Sequence, residues 1–166
     1  MSSSVVLWLG VAVLLFWAVG AYNRLVRLRS QGLAAFAVLE GLLSQFLPIA
    51  SSGLPDLDGL AACVDQFRVA LKMCRSQPLN GATIGALTMA YETMCLSWLR
   101  QRQLAQQRGS TELPEALPLR WEQLVAQTEM ARADFNKVVA RYNAAVNQFP
   151  AVLLARLFGF RTAQSV

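Results

Sequence analysis

The segment Val5–Tyr22, VVLWLGVAVLLFWAVGAY, decides how the rest of the chain can fold. It contains no charged residue, and as a helix rising ~1.5 Å per residue it reaches roughly 27 Å, close to the hydrocarbon thickness of a bilayer. The bilayer core offers no water to backbone N–H and C=O groups, and a helix satisfies them within one segment. We therefore predict a transmembrane anchor over residues 1–22.

A cleaved signal peptide is the alternative interpretation of this segment. It requires basic residues before the apolar run and a cleavage site of small residues. Residues 1–4 contain no Lys or Arg, whereas Arg24, Arg27 and Arg29 follow the run directly. By the positive-inside rule, this asymmetry predicts that the N-terminus lies outside and the remaining chain in the cytoplasm, where these arginines also suit an anionic leaflet.

The chain after the anchor has the composition of one small domain, since about 140 residues fall within the usual domain size. The net charge of +5 comes mostly from scattered arginines. No basic stripe alternates with aromatics, so we expect no nucleic-acid partner. The chain has no histidine, and Cys63, Cys74 and Cys95 form no CxxC pair. We expect neither a metal site nor a disulfide framework, but small buried thiols in a reducing compartment.

Four segments place apolar residues at alternating spacings of three and four, which predicts helices with one buried face. The first continues out of the membrane helix as far as Pro48. Asp56 and Asn80 are the expected N-caps of the second and third helices, and the run Arg100–Arg108 is expected to be a solvated helix end. The predicted buried faces are Leu25, Leu28, Gly32, Ala35, Leu39, Leu42 and Phe46; Leu57, Leu60, Val64, Phe67, Leu71 and Cys74; Ile84, Leu87, Tyr91, Met94 and Trp98; and Trp121, Leu124, Thr128, Ala131, Phe135, Val138, Tyr142, Ala145 and Phe149.

These segments predict an all-α fold. No segment alternates apolar and polar residues with a period of two, so we expect no strand. Four amphipathic helices with short connections favour an up-down-up-down arrangement. The prediction is an N-terminal transmembrane helix that continues into an antiparallel four-helix bundle over residues 23–149.

The C-terminal segment, residues 150–166, is expected near the membrane. In this topology the fourth helix returns to the end at which the first one began, which brings Phe149 back to the bilayer. The run FPAVLLARLFGFR that starts there carries only Arg156 and Arg161 as charges. Two interpretations stay open: a short interfacial helix beside the anchor, or an apolar plug over the open end of the bundle.

Polar residues beside the predicted core are the best candidates for a structural or interaction site. Asn136 and Asn143 each follow a core aromatic, Phe135 and Tyr142, so both lie on one flank of the fourth helix. Such amides can set the register against a neighbouring helix, and the first helix, which carries Asn23, is the expected partner. The alternative is a polar recognition patch near the bilayer. We favour the structural role because polar groups beside a core are usually satisfied within the fold.

Both ends of the chain resemble the LemA family. The run Tyr22–Arg29, YNRLVRLR, with the later aromatic Phe36, resembles the family's N-terminal motif. Its C-terminal signature is matched in order and spacing by Phe135-Asn136, Tyr142-Asn143, Phe149-Pro150 and Gly159-Phe160. The resemblance implies a bacterial single-pass membrane protein with a helical bundle of cytoplasmic type. Residues 39–56 lack the charged stretch that is usual in the family, which indicates a divergent member.

The motifs point away from catalysis. Without histidine, acid–base chemistry falls to carboxylates, lysine or cysteine, and the chain has no phosphate-binding loop or nucleophile elbow. We expect a non-enzymatic, membrane-anchored scaffold or interaction module in a bacterial inner membrane, with a role in envelope or membrane organisation and no cofactor. Its expected partners are the lipid bilayer and other membrane or cytoplasmic proteins, and a homo-oligomer stays open. The alternatives are an accessory subunit of a membrane enzyme such as a protease, which the LemA resemblance permits, and a sensor of a lipid or small apolar ligand.

Overall fold

A computed structural model describes residues 2–51, 59–107 and 116–166. Within these ranges the chain forms helices and no strand, which confirms the all-α prediction. The helices are α1 (Ser2–Ser44), α2 (Phe46–Ser51), α3 (Leu60–Ser76), α4 (Gly81–Gln107), α5 (Ala116–Asn147) and α6 (Ala151–Leu157).

Helix α1 carries the apolar run and the first bundle helix without a break. The large apolar side chains from Val5 to Trp17 are exposed, and by length and composition this helix can cross a membrane. Its bundle half starts at the buried Leu25. The predicted direct passage from the apolar run to the bundle is therefore confirmed. The buried face is not entirely the expected one, because Phe36 and Leu43 are more deeply buried than Ala35 and Leu42.

A single residue, Gln45, separates α1 from α2, and its N–H donates to the carbonyl of Leu42 at 3.0 Å. The first helix was predicted to continue as far as Pro48, but it ends earlier, at Ser44. Pro48 lies in the first turn of α2, where the missing proline N–H would have no helical partner in any case. The predicted cap Asp56 and the core residue Leu57 lie outside the described residues.

Helices α3 and α4 pack against each other across the short turn that connects them. The buried face of α3 is confirmed from Leu60 to Cys74, and the helix ends at Ser76, ahead of Pro78 as predicted. Asn80 caps α4, since its Oδ1 accepts a hydrogen bond from the N–H of Ala82 at 2.9 Å. The predicted face of α4 is also buried.

Two predictions for the long helices α4 and α5 are wrong. The buried face of α4 continues through Gln101 and Ala105, so the polar run after Trp98 is not wholly solvated. Helix α5 ends at Asn147, and Phe149 is therefore exposed rather than part of the core. Most of the predicted α5 face is confirmed. The predicted residues Ala131 and Val138 are only partly buried, and Val139 and Val146, which were not predicted, are buried.

The order of contacts along the helices gives the topology. Phe36 of α1 packs on Phe135 of α5, and Phe46, at the start of α2 just beyond the end of α1, packs on Trp121, earlier in α5. The two helices therefore run antiparallel, and the up-down-up-down arrangement is confirmed. The closely packed helix pairs are α1 with α5 and α3 with α4. Helices α4 and α5 meet mainly through side chains, of which the stacked indoles Trp98 and Trp121, 4.3 Å apart, are the largest.

Candidate functional site

The chain from Gly159 to Val166, which we call the tail, runs along the bundle between α5 and the start of α4. Gly159 turns the chain out of α6 with a φ of 70°, a value that favours glycine. Further on, the side chain of Gln164 lies against α4, where a Cβ at Gly81 would meet its Oε1 at 2.9 Å. Ala163, which lies between Gly159 and Gln164 in the sequence, is buried in the core. The tail thus fills the gap between α4 and α5 in the half of the bundle nearer the apolar run.

Two asparagines of α5 hold the tail by its backbone. The Nδ2 of Asn143 donates to the carbonyl of Ala163 at 2.8 Å, and its Oδ1 accepts from the N–H of Ala163 at 2.8 Å. Asn136 makes the same pair of bonds to Val166, at 3.0 and 2.8 Å. Seven residues of helix advance roughly 10.5 Å and three residues of extended chain roughly 10 Å, so the two spacings match. We call this pair the asparagine clamp.

The clamp corrects the expected partner of these amides. Asn136 and Asn143 bond to the tail and not to the first helix, and Asn23 is exposed on α1. The seven-residue spacing was visible in the sequence, but its partner was not. Tyr142, between the two amides, is buried, and burial raises the pKa of its hydroxyl while nearby Arg29 partly opposes the shift.

The end of the apolar run meets α6. The ring of Tyr22 lies 5.0 Å from that of Phe158 and 6.0 Å from that of Phe160. A groove of about 380 Å³ separates α1 from the α5–α6 junction, and it is lined by Phe16, Trp17, Gly20, Arg24, Phe149 and Pro150, among others. The signature residues Phe149, Pro150, Gly159 and Phe160 therefore gather at one end of the bundle.

The three arginines after the apolar run do not converge on one point. Arg24, Arg27 and Arg29 are all exposed along α1. Arg24 lines the groove beside α6, whereas Arg29 lines a second groove of about 500 Å³ formed with the α3–α4 turn and the tail. They present a basic collar immediately beyond the candidate span.

A third groove opens between α4 and α5 on the side of the clamp away from the apolar run. It has a volume of about 590 Å³. Its apolar lining includes Leu96 and Leu99, whose side chains are 67% and 48% exposed, together with Val125. Charged side chains on the rim include Glu92, Arg102, Glu122, Glu129 and Arg132. We call this surface the open groove, and sequence periodicity did not indicate it.

Of the three thiols, Cys74 is buried in the core, whereas Cys63 and Cys95 are half-buried and Cys95 lines the open groove. Cys63, Cys74 and Cys95 are all free, and burial raises the pKa of both Cys74 and Cys95 to about 11. Among the described residues, no group of three His, Cys, Asp or Glu side chains is placed to hold a metal ion. The raised pKa values disfavour the thiolate, the form in which cysteine acts as a nucleophile or ligand.

An exposed apolar helix that continues into an antiparallel bundle, with a tail clamped along its side, defines an all-α bundle protein with a candidate N-terminal membrane span. The chain belongs to the LemA family, whose family model matches residues 82–166. The match covers α5, α6, the clamp and the tail, together with nearly all of α4. Neither a curated protein nor a solved structure matches the chain.

Proposed function

We propose that the protein is a membrane-anchored, non-enzymatic interaction module that presents the open groove to a protein partner. In this proposal it lies in a bacterial inner membrane, with the N-terminus outside and the bundle in the cytoplasm, and acts in membrane or envelope organisation. The open groove is the observation that carries the proposal. The basic collar of Arg24, Arg27 and Arg29 supports the orientation through the positive-inside rule.

The chemistry of the open groove fits an amphipathic helix. Leu96, Leu99 and Val125 form an apolar surface that the described residues of the chain leave accessible. Acidic and basic side chains alternate on its rim, where Arg102 pairs with Glu122 at 2.7 Å. Such grooves bind helices through an apolar stripe, while polar rims contribute to partner selection. A helix from the partner would also fill the groove between α4 and α5.

The buried thiols support the non-enzymatic part of the proposal. A catalytic cysteine needs a lowered pKa and access to substrate. Cys74 and Cys95 have pKa values shifted in the opposite direction, and Cys74 has no exposed surface. The chain has no histidine, the side chain that most often serves as the general base for such a thiol.

Site-specific photocrosslinking of the full chain in native membranes tests the proposal. A benzophenone amino acid at Leu99 is expected to form an adduct with one protein, and Leu96→Asp, one turn earlier on the same α4 wall of the groove, is expected to abolish it. The matched control places the same amino acid at Met73, which is exposed on α3. Equal adducts from Leu99 and Met73, or an adduct indifferent to Leu96→Asp, would refute the open groove as the docking surface.

The identity of the adduct separates the interaction module from the other candidates. A membrane protease in the adduct would make the protein an accessory subunit, and an adduct of twice the chain mass would indicate a homo-oligomer. A sensor of a lipid or small apolar ligand is the second candidate, favoured by the volume and apolar lining of the open groove. Native mass spectrometry of the purified chain would detect such a ligand, and Leu96→Asp is expected to release it.

A further inference from the structure

We infer that α6 lies in the membrane interface and forms a second, direct contact with the bilayer beside the anchor. This inference rests on the membrane anchoring proposed above, and it assigns the lipid surface as the occupant of an apolar face that the bundle leaves uncovered. The face consists of Phe149, Leu153, Leu157 and Phe158, all of which are exposed.

The exposed apolar residues belong to α6 and its two flanks. Leu153 and Leu157 lie four residues apart on one face of α6, Phe149 lies just before the helix and Phe158 just after it, and Phe149 and Leu157 are 77% and 76% exposed. Ala155, on the other side of the helix, is buried in the core. An apolar face opposite a packed one is the pattern of a helix that lies in a membrane interface. Contiguous exposed apolar surface of this kind marks a site of interaction with a protein or a membrane.

The groove at the α5–α6 junction sets the depth of this face. Phe149 and Pro150 line that groove together with Phe16 and Gly20, which are residues of the apolar run. Phe16 lies six residues before the end of the run at Tyr22, or ~9 Å along the helix axis. Because α1 is unbroken here, the level of Phe149 is tied to that of Phe16. A bilayer that accommodates Phe16 therefore also reaches Phe149.

Contacts at the far end of α6 keep the helix in this position. Phe158 packs on Tyr22 of α1, and beyond it the asparagine clamp holds the tail at Ala163. Arg156 and Arg161 are exposed on the same segment, and Arg161 lines the same groove as Arg29 of the basic collar. Basic residues near the headgroups favour an anionic lipid surface.

Depth-dependent quenching in nanodiscs tests the inference with the full chain. In a background where the three native cysteines are replaced by alanine, single cysteines at positions 14, 130 and 157 carry a fluorescent label. Leu14 lies in the apolar run, and Met130 is an exposed residue in the middle of α5. The nanodiscs contain phosphatidylcholine and phosphatidylglycerol, with or without a spin-labelled phosphatidylcholine that quenches from within the acyl chains.

We expect the labels at positions 14 and 157 to be quenched and the label at 130 to be unaffected. Adding Leu153→Asp is expected to reduce the quenching at 157 to the level at 130, while Leu119→Asp, an exposed position near the start of α5, leaves it unchanged. A label at 157 that is no more quenched than the one at 130, while 14 is quenched, would refute the second contact alone. An unquenched label at 14 would refute the anchor itself.

Discussion

The side-chain amide of Asn143 forms both hydrogen bonds that the backbone of Ala163 offers, donating to its carbonyl and accepting from its N–H, each at 2.8 Å. Asn136 repeats the arrangement at Val166. A helix and an extended chain have no common backbone ladder, so the two amides take the place of a neighbouring strand. Because they bind backbone groups, the clamp depends little on the side chains of the tail.

The substitution Asn143→Asp is expected to release the tail. It removes the Nδ2 donor and places a carboxylate oxygen against the carbonyl oxygen of Ala163. We expect faster amide hydrogen exchange at Ala163 and a loss of about 1–3 kcal/mol in the free energy of unfolding. Asn147→Asp, at the exposed C-terminal residue of the same helix, is the control: it should leave amide exchange at Ala163 unchanged and, through the helix dipole, lower the free energy of unfolding by at most about 0.3–1 kcal/mol. Unchanged protection at Ala163 in N143D would contradict the clamp.

The stacked indoles at the end of the core away from the apolar run should be energetically coupled. The rings of Trp98 and Trp121 are nearly parallel, with an interplanar angle of 11°, and both are buried. A double-mutant cycle of Trp98→Leu and Trp121→Leu, followed by urea unfolding, should show a coupling of about 0.5–1.5 kcal/mol. A second cycle pairing Trp98→Leu with Leu25→Ala, near the apolar run, should be additive within about 0.5 kcal/mol. Equal coupling in both cycles would exclude a specific stack.

A buried hydroxyl in α5 offers a stabilising substitution. Thr128 has no exposed surface, and within the described part of the chain its Oγ1 has no hydrogen-bond partner. Thr128→Val keeps the shape and removes the desolvated polar group, so we expect the free energy of unfolding to rise by about 1 kcal/mol. Thr93→Val is the control: its hydroxyl donates to the carbonyl of Met89 at 2.8 Å on an exposed face. A lower thermal midpoint for T128V would show that the hydroxyl is bonded.

Buried thiols should make the fold less stable in alkali. In the unfolded chain Cys74 and Cys95 lose their protons near pH 9, whereas burial holds the pKa of each near 11 in the folded protein. The folded state therefore binds more protons between pH 9 and pH 11, and the free energy of unfolding falls as pH rises through that window. Below it both states are protonated, and these thiols contribute no pH dependence.

A Cys74→Ala, Cys95→Ala variant tests this contribution. Tyr91 is present in both proteins, and burial is the main cause that raises its pKa; Cys95 adds to that rise, so the variant also has a smaller Tyr91 contribution, which has the same sign. Urea unfolding at several pH values should show a shallower decline for the variant. Parallel pH profiles would mean that the two thiols ionise alike in the folded and unfolded states.

The start of α4 and the end of α3 were predictable because their causes are local. Asn80 caps α4 through a bond to a backbone group two residues away, and Pro78 prevents α3 from continuing. The side of each helix that is buried was predictable only to within one residue. Phe36 and Leu43 are buried in preference to their neighbours Ala35 and Leu42, since the choice depends on the helix packed opposite, and here Phe135 packs on Phe36.

The sequence by itself determined the candidate membrane span, the helical fold and the antiparallel order, because apolar periodicity, capping and the length of an uncharged run act over a few residues or one helix. Tertiary structure alone decided the partner of Asn136 and Asn143 and the open groove. The clamp joins residues 20 and 30 positions apart, and only the return of α6 past Tyr22 brings the tail to α5. Long-range placement of this kind depends on how all the helices pack together, which no local pattern encodes.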